Sequence, residues 1–428
     1  MNFDTALMKS IESLGYEVTV GDVAANAGLE INQAQKGLLA LAGETQGNLL
    51  VSDSGDIIYK FPKNFRSILN NRYWQLKVKQ WLESVWKVIF YIIRISFGIL
   101  LILSILLMTI AIIMILIYAN SSQDDNNRSQ RRSDRNGSFG GGNFIFLGNP
   151  FDSFWLFSSG YETRRETKAP KEMNFLESVF SFLFGDGNPN RDFEQKRWNL
   201  VGTLIKNQKG AVISEEIAPY LDIQNSSNEN FMIPVLSRFN GYPEVSPNGE
   251  IIYYFPDLQV TANNQHKNQI KSYLEEENWK FSRATQGQIM LSVGLGSLNL
   301  VLLFILNSFL NGGAAGLGGL VGLVALLYPA LAFYAIAFFA IPLIRYLVIN
   351  GRNKKVDERN LNRQNLAQFF QNNLKALESK LLYARQFAQE KLIKAEDITY
   401  STEKDLLEQQ IEQSDKIDEE WQKKLNKS

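Results

Sequence analysis

Two long uncharged apolar blocks decide what this chain can fold into. Residues 95–119 read ISFGILLILSILLMTIAIIMILIYA, without a charge. A helix rises 1.5 Å per residue, so about 20 residues cross a hydrocarbon core about 30 Å thick. Soluble helices are seldom this long and this uniformly apolar, so the block reads as a membrane span. The second block, 289–344, is too long for one span and is divided by NGGAAGLGG at 311–319. It reads as two helices, about 289–310 and 320–344, joined by a short uncharged turn. The first 65 residues are polar and patterned as a folded domain. They form no signal peptide, and the first span itself serves for targeting.

Orientation follows Lys and Arg near the span ends. Arg66, Arg72, Lys77, Lys79, Lys87 and Arg94 precede the first span. Arg345, Arg352, Lys354, Lys355, Arg359 and Arg363 follow the last one. Both flanks therefore face the cytoplasm, or the stroma of a plastid. The uncharged turn then faces outward, which also puts residues 190–285 inside. These placements conflict if 88–119 crosses only once. Either that segment enters and leaves on one side or one charge argument fails. The reading counts three spans and leaves the parity open.

The sequence also repeats itself. Residues 51–62 read VSDSGDIIYKFP and residues 245–256 read VSPNGEIIYYFP, eight of twelve positions being identical. The turn residues around Gly55 and Gly249 suit a tight reversal, because Gly tolerates positive φ. Ile57, Ile58 and Tyr59, like Ile251, Ile252 and Tyr253, suit the returning strand of a hairpin. Pro62 and Pro256 end it. Upstream, the first copy carries helical patterns over 4–14, 21–27 and 31–41, and the second over 196–207, 214–221 and 228–239. Three short helices and a two-stranded wing resemble the winged-helix fold over about 60 residues per copy. That likeness specifies fold and leaves function open. Connector helices, 72–87 and 267–283, lead from each copy to the membrane.

A winged helix invites a nucleic-acid reading, and the charges argue against it. Residues 1–62 hold Lys9, Lys36 and Lys60 against Asp4, Glu12, Glu17, Asp22, Glu30, Glu44, Asp53 and Asp56. The candidate recognition helix 31–41 carries only Lys36. Its counterpart in the second copy has Arg238 near its end and Glu229 near its start. Phosphate contacts and bidentate base reading need Lys and Arg. An acidic winged module points instead to protein partners.

Chemistry is scarce. The chain has no Cys, one His and equal numbers, 44 each, of Lys+Arg and Asp+Glu. Disulfides, thiolate-bound zinc and conventional iron–sulfur ligation are excluded. A Ser–His–Asp triad could use only His266, which sits in NNQHKNQ and reads as a solvated side chain. Asp124 with Asp125, and Glu275, Glu276 and Glu277, are adjacent carboxylates that read as solvated runs rather than a cation cage. No catalytic, cofactor or metal residues are assigned, and the chain reads as no enzyme. Gly312 and Gly316, then Gly318 and Gly322, match the small-xxx-small spacing of close membrane helix packing, with a turn as the plainer reading. Arg94 at the edge of the first span reads as a snorkelling side chain. Pro329 and Pro342 read as kink positions.

The remaining stretches are linkers and tails. Residues 120–142 are a low-complexity linker, and 143–185 carry aromatic clusters suited to the membrane interface or to packing on the modules. The tail 351–428 is polar and helical, with apolar positions at Leu366, Phe369, Phe370, Leu374, Leu377, Leu381 and Leu382. Thr402, Glu403, Lys404 and Asp405 resemble a capping box opening a last helix. The domains read as 1–66 (first module), 67–119 (connector and first span), 120–190 (linker and interfacial segment), 191–258 (second module), 264–350 (connector and membrane hairpin) and 351–428 (tail).

Taken together, the tandem VS-x-x-G-[DE]-IIY-x-FP modules, the intervening span and the glycine-split block resemble a cyanobacterial and plastid membrane-protein family. Some of its members carry the name iron–sulfur cluster biosynthesis family protein. The resemblance covers most of the chain and implies a thylakoid or plastid-type membrane, or the plasma membrane of a cyanobacterium. This chain departs from that name, having no Cys to hold a cluster. The expectation is a mainly α membrane protein with two small α+β winged-helix-like modules, three transmembrane helices and a helical tail. It acts as a scaffold or assembly factor for photosynthetic membrane complexes, with membrane or ribosome-associated proteins and the lipid bilayer as partners. The alternative is a membrane-tethered transcription regulator. A transporter would want polar groups inside the spans, where Asn299, Asn307 and scattered Ser and Thr are all that occur.

Overall fold

A computed structural model describes residues 4–72, 74–121, 173–223, 229–262, 269–405, 407–411, 414 and 421. From the N-terminus the elements are α1 (Thr5–Ser13), β1 (Glu17–Val18), α2 (Val20–Ala27), α3 (Ile31–Thr45), β2 (Asn48–Ser52), β3 (Ile57–Lys60), α4 (Phe65–Arg72) and α5 (Trp74–Ser121). Then come α6 (Phe175–Phe184), α7 (Phe193–Asn207), β4 (Ala211–Val212), α8 (Ser214–Ile217), α9 (Ile233–Phe239), β5 (Tyr242–Val245), β6 (Ile251–Tyr254), α10 (Pro256–Gln259) and β7 (Val260–Thr261). The last are α11 (Gln286–Asn311), α12 (Gly319–Asn372), α13 (Glu378–Phe387), β8 (Lys391–Leu392) and β9 (Ile398–Ser401). The chain is mostly helical. It divides into two compact units, the first made of Met1–Trp81, Pro189–Asn278 and Asn353–Ser428, the second of Leu82–Asn188 and Trp279–Arg352.

The first unit contains both copies of the repeat. In each, a helix leads into a short strand, two further helical segments follow, and a hairpin returns beside the first strand. The first copy has sheet order β1-β3-β2, with Val18 opposite Tyr59 and Val51 opposite Ile57. In the second the order is β4-β6-β5, with Val212 opposite Tyr253 and Val245 opposite Ile251. One constant shift maps the first onto the second, down to details of the backbone. Gly55 and Gly249 both sit at φ +83°, as the hairpin turns require. Gln46 and Asn240 both end their helices in the left-handed region. The Phe61 N–H donates to the Tyr16 carbonyl as Phe255 does to Gly210. Tyr59 and Tyr253, the strand tyrosines of the repeat, are both buried.

Local chemistry sets the helix starts. The Asp4 carboxylate accepts from the Ala6 N–H at the head of α1. A capping box of Thr19 and Asp22 opens α2. The C-terminal stretch completes the unit. Strand β9 adds to the first sheet beside β2, and β8 pairs in parallel with β7. Helix α13 lies on the second sheet, where Ala384 packs with Ile213 and Ile252.

The second unit is a helical bundle. Among the described residues three helices are long and apolar enough to cross a membrane: Trp81–Asn120, Gln286–Asn311 and Gly319–Asn372. Met108, Ala111 and Ile115 of α5 pack with Leu303 and Leu306 of α11 and with Val321, Val324 and Ala335 of α12. The short helix α6 fits close to α5 because Gly98 has no side chain; a Cβ there would lie 2.8 Å from the Leu176 Cα.

Several sequence expectations change. Residues 88–119 form part of one continuous helix and do not turn back on themselves. The stretch 269–278 is no connector helix. Its backbone donors go to tertiary acceptors instead: Leu274 N–H to the Pro219 carbonyl, Glu276 N–H to Asn360 and Glu277 N–H to Asn190. The last span does not stop near 344 but runs on as one helix to Asn372, with Pro329 and Pro342 inside it. Thr402 opens no capping box; its N–H pairs with the Leu49 carbonyl, and Asp405 receives the Leu407 N–H instead.

Candidate interaction surfaces

The two copies share one core, joined where α2 meets α7. Close approach is possible because residue 202 is Gly: a Cβ there would fall 2.7 Å from the Ala25 Cα. Asp22 is the hub of this junction. Its carboxylate is 2% exposed and accepts from the Thr19 N–H (3.0 Å), the Thr261 hydroxyl (3.0 Å), the Ala262 N–H (3.1 Å) and the Lys206 ammonium. In the sequence Asp22 stands only as one of the acidic residues of the first module. Its place in a T-x-x-D capping pattern was the available clue.

Arg238, the one base of the second candidate recognition helix, is also used here. It donates to the Gly28 carbonyl at 2.8 Å and lies over the Trp198 ring, 4.4 Å from its centroid. Burial pulls its pKa down, against the pull of Glu30 and Glu194. What α3 presents to solvent is Asn32, Gln33, Gln35, Lys36, Leu39 and Gly43. Helix α9 presents Ile233, Pro234 and Ser237. Leu39 and Ile233 occupy the same position of the repeat and are 56% and 61% exposed. Beyond them the hairpins expose Asp53, Ser54 and Gly55 in one copy and Pro247, Asn248 and Gly249 in the other.

Beneath α13 lies a polar knot. The Lys380 ammonium donates to Glu215 at 2.9 Å and to Ser214 and Glu229 at 3.2 Å. Burial alone would raise the Glu229 carboxyl. Hydrogen bonds from Tyr253 and Ser214, with the Lys380 charge, outweigh it and hold the carboxyl below its usual range. Glu216 matches Asp22 in the repeat and caps the same turn, accepting from the Ile213 N–H at 3.1 Å and from Gln208 at 2.8 Å. Asp22 has an ammonium on it; Glu216 has an amide. Burial therefore pushes the Glu216 carboxyl up to about 7. Glu276, read as part of a solvated acidic run, is instead the buried acid of an arginine network. Burial would raise its carboxyl, but Arg359 at 2.6 Å and Arg363 at 2.8 Å hold it down.

In the second unit Asp186 gathers Arg94, the Ser181 hydroxyl and the Arg283 N–H. Arg345 donates to the Ser181 and Phe182 carbonyls and so caps the C-terminal end of α6. Arg94 thus has an ion-pair partner in Asp186. Ser104 donates to Asn299 at 3.1 Å, and the Asn299 Nδ2 has no hydrogen-bond partner. Gly312 ends α11, Gly316 and Gly318 lie in the turn, and Gly322 lies in α12. A Cβ on Gly316, Gly318 or Gly322 would meet nothing within 4 Å, so close approaches in the second unit fall at Gly98 and Gly296 instead. Among the described residues no group of His, Asp and Glu is arranged to hold a metal ion. His266, Asp124, Asp125 and the aromatic clusters before residue 173 lie outside the described residues.

No family model and no solved structure matches the chain. A curated protein of Arabidopsis thaliana, described as an uncharacterized chloroplastic protein, is 38% identical over 441 residues, spanning 98% of this chain and 82% of the plant protein. A chloroplastic relative and three apolar helices are together compatible with a plastid-type membrane. At that identity and coverage, the chain belongs to the same family as this chloroplastic plant protein.

Proposed function

We propose that the protein is a non-enzymatic integral-membrane scaffold or assembly factor of a photosynthetic (thylakoid or plasma) membrane. Its two repeats are winged-helix modules that bind proteins. The helix–strand–helix–helix–hairpin order, with the first strand beside the last, supports the winged-helix reading in both copies. The observation that carries the rest is the placement of Arg238. Its guanidinium is committed to Gly28 and Trp198, which leaves the α9 face without a base. Lys36 is the single base on α3. Such faces offer neither the phosphate neutralisation nor the guanine reading that DNA binding draws on. They offer Leu39 and Ile233 on faces whose single charge is Lys36, a composition suited to a protein partner.

Sidedness is part of the proposal. The stretches 1–81, 189–278 and 353–428 interlock through Asp22–Lys206, Arg363–Asp222 and β2–β9, so they share one side of the membrane. The stretch between the first two then begins and ends on that side. Within the second unit this fits: Met173 accepts from Gln288 in the first turn of α11 and Asp186 pairs with Arg94. The far end of α5 lies about 40 Å along the helix from Arg94.

The chain is free of Cys, so single cysteines can be placed and labelled at will. Cysteines at Ser54, Asn248 and Glu396 are expected to react with an impermeant maleimide from the same side of sealed vesicles. Opposite labelling of any pair refutes the topology. For the partner, the full chain is isolated in mild detergent from its own membranes, with and without Leu39→Asp and Ile233→Asp. Membrane-complex subunits, ribosomes or insertion machinery lost in those variants support the scaffold. Salt-dependent DNA binding by the solubilised chain would make it a tethered regulator.

A further inference from the structure

The repeat allows one sheet edge to be compared with its own duplicate. Strand β2 is an edge of the first module and β9 pairs along it, Val51 opposite Tyr400 and Leu50 opposite Ser401. The outward backbone groups of Leu49 are both used: its carbonyl accepts from the Thr402 N–H at 3.0 Å and its N–H donates to the Thr402 hydroxyl at 2.9 Å. The same position in the second module is Pro243, which has no N–H. Two residues on, the Val245 carbonyl already accepts from the Tyr383 hydroxyl at 3.3 Å. The second edge is closed by its own sequence, and the first is left competent to pair.

What sits on the competent edge is held by hydrogen bonds, among them Asp53 N–H to the Asp397 carbonyl and the Ser401–Gln409 pair, more than by apolar packing. The register shifts between Val51 and Ser52. Thr399 and Tyr400 are exposed, and Ile398 is the one apolar side chain of β9 that packs on the small cluster of Leu50, Ile58, Ala262 and Ile393. The flanking ion pairs, Lys60–Glu403 at 3.5 Å and Lys391–Asp56 at 2.7 Å, are solvent-exposed and contribute little.

Resting on the protein-binding reading of the modules, we propose that the β2 edge is a strand-accepting site, with β9 as its resident and exchangeable occupant. It takes an extended partner segment of the β9 type, with an aliphatic residue at the position of Ile398 and β-branched or aromatic neighbours. Recognition is by backbone pairing, as in other strand-addition sites.

The probe is a fluorescent peptide of residues 396–403, EDITYSTE, titrated onto detergent-solubilised protein. A chain ending at Asp397 is expected to bind it. Leu49→Pro in that chain imports the feature the second module already tolerates and removes the N–H that donates to the Thr402 hydroxyl, and it is expected to weaken binding about tenfold, the worth of one good hydrogen bond. In the full-length chain a Val51→Cys, Tyr400→Cys disulfide locks the edge, and binding is expected only after reduction. Equal binding to the Leu49→Pro chain overturns the proposal. So does absence of binding to a truncated chain whose β3 amides keep their hydrogen-exchange protection. Should truncation disturb the module, the intact chain decides. Faster exchange of the Thr402 and Asp53 amides than of the β3 amides supports an exchangeable strand, and equal protection overturns it. DNA binding by the modules would remove the scaffold reading while leaving this edge and its test intact.

Discussion

Glu216→Gln isolates the cost of a buried carboxylate that lacks the cation its duplicate has. The Glu216 side chain is 8% exposed and its carboxyl is pushed up to about 7 from an ordinary 4.5, first by burial. An acid with a raised folded pKa binds its proton more tightly when folded. Its contribution is therefore full below about 4.5, declines as pH rises toward 7 and is lost above that. The integrated loss is about 3 kcal/mol. Gln cannot ionise, keeps an acceptor for the Ile213 N–H, and can pair with Gln208 if that amide turns over. Glu216→Gln is thus expected to change little at pH 5. At pH 8 it should raise the local stability of β4 and β6 by about 2–3 kcal/mol. Hydrogen exchange of the solubilised full chain, corrected for intrinsic rates, reads this as about two orders of magnitude more protection at residues 211–212 and 251–254. A Gln-minus-Glu difference that is the same at both pH values, or larger at pH 5, would refute the burial argument.

Three further outcomes follow from the same geometry. Asp22→Ala strands the Lys206 ammonium in the module junction and should cost about 3 kcal/mol, seen as faster proteolysis between the modules. Adding Lys206→Met should restore part of that, whereas independent sites would show additive losses. Gly202→Ala drives a Cβ onto the Ala25 backbone and should cost about 1–3 kcal/mol by thermal unfolding in detergent, and Ala25→Gly should not relieve it because the clash is with the main chain. Ser104→Ala with Asn299→Leu removes both partners of a bond that already leaves one amide donor unpaired, and should leave stability within about 1 kcal/mol, measured by helix unfolding in mixed micelles.

The long apolar helices were legible because their cause is local: a run of uncharged side chains of bilayer length needs no tertiary information. The hairpins were legible for a similar reason, since Gly55 and Gly249 stand where a turn demands positive φ. The continuation of the last span to Asn372 was less visible, because Arg359 and Arg363 look like the end of an apolar run. In the fold they reach Glu276, a partner distant in sequence. The stretch 269–278 misled in the opposite sense: its composition suits a helix, while its N–H groups find acceptors on Pro219, Asn360 and Asn190. The Asp22 junction and the β9 pairing were illegible for one reason. Each depends on residues more than 180 positions apart, and single-sequence periodicity carries no information at that range.

The duplicated modules differ less in their folds than in what covers them. At the capping position the first has Asp22 with an ammonium and the second has Glu216 with an amide. At the sheet edge the first has Leu49 with a strand on it and the second has Pro243 with none. A symmetric pair would bury the same patch on both copies. Here α2 of the first copy meets α7 of the second, so the contact is heterologous and leaves different surfaces of the two copies to be covered by the rest of the chain. The tail supplies that cover, α13 on the second sheet and β9 on the first. The exposed positions that remain alike in both copies, Leu39 with Ile233 and Ile57 with Ile251, are those that neither the junction nor the tail has claimed. Folding explains the differences between the copies, but it places no demand on an exposed aliphatic residue. Their recurrence at matched positions is what supports the proposed protein-binding role of the modules.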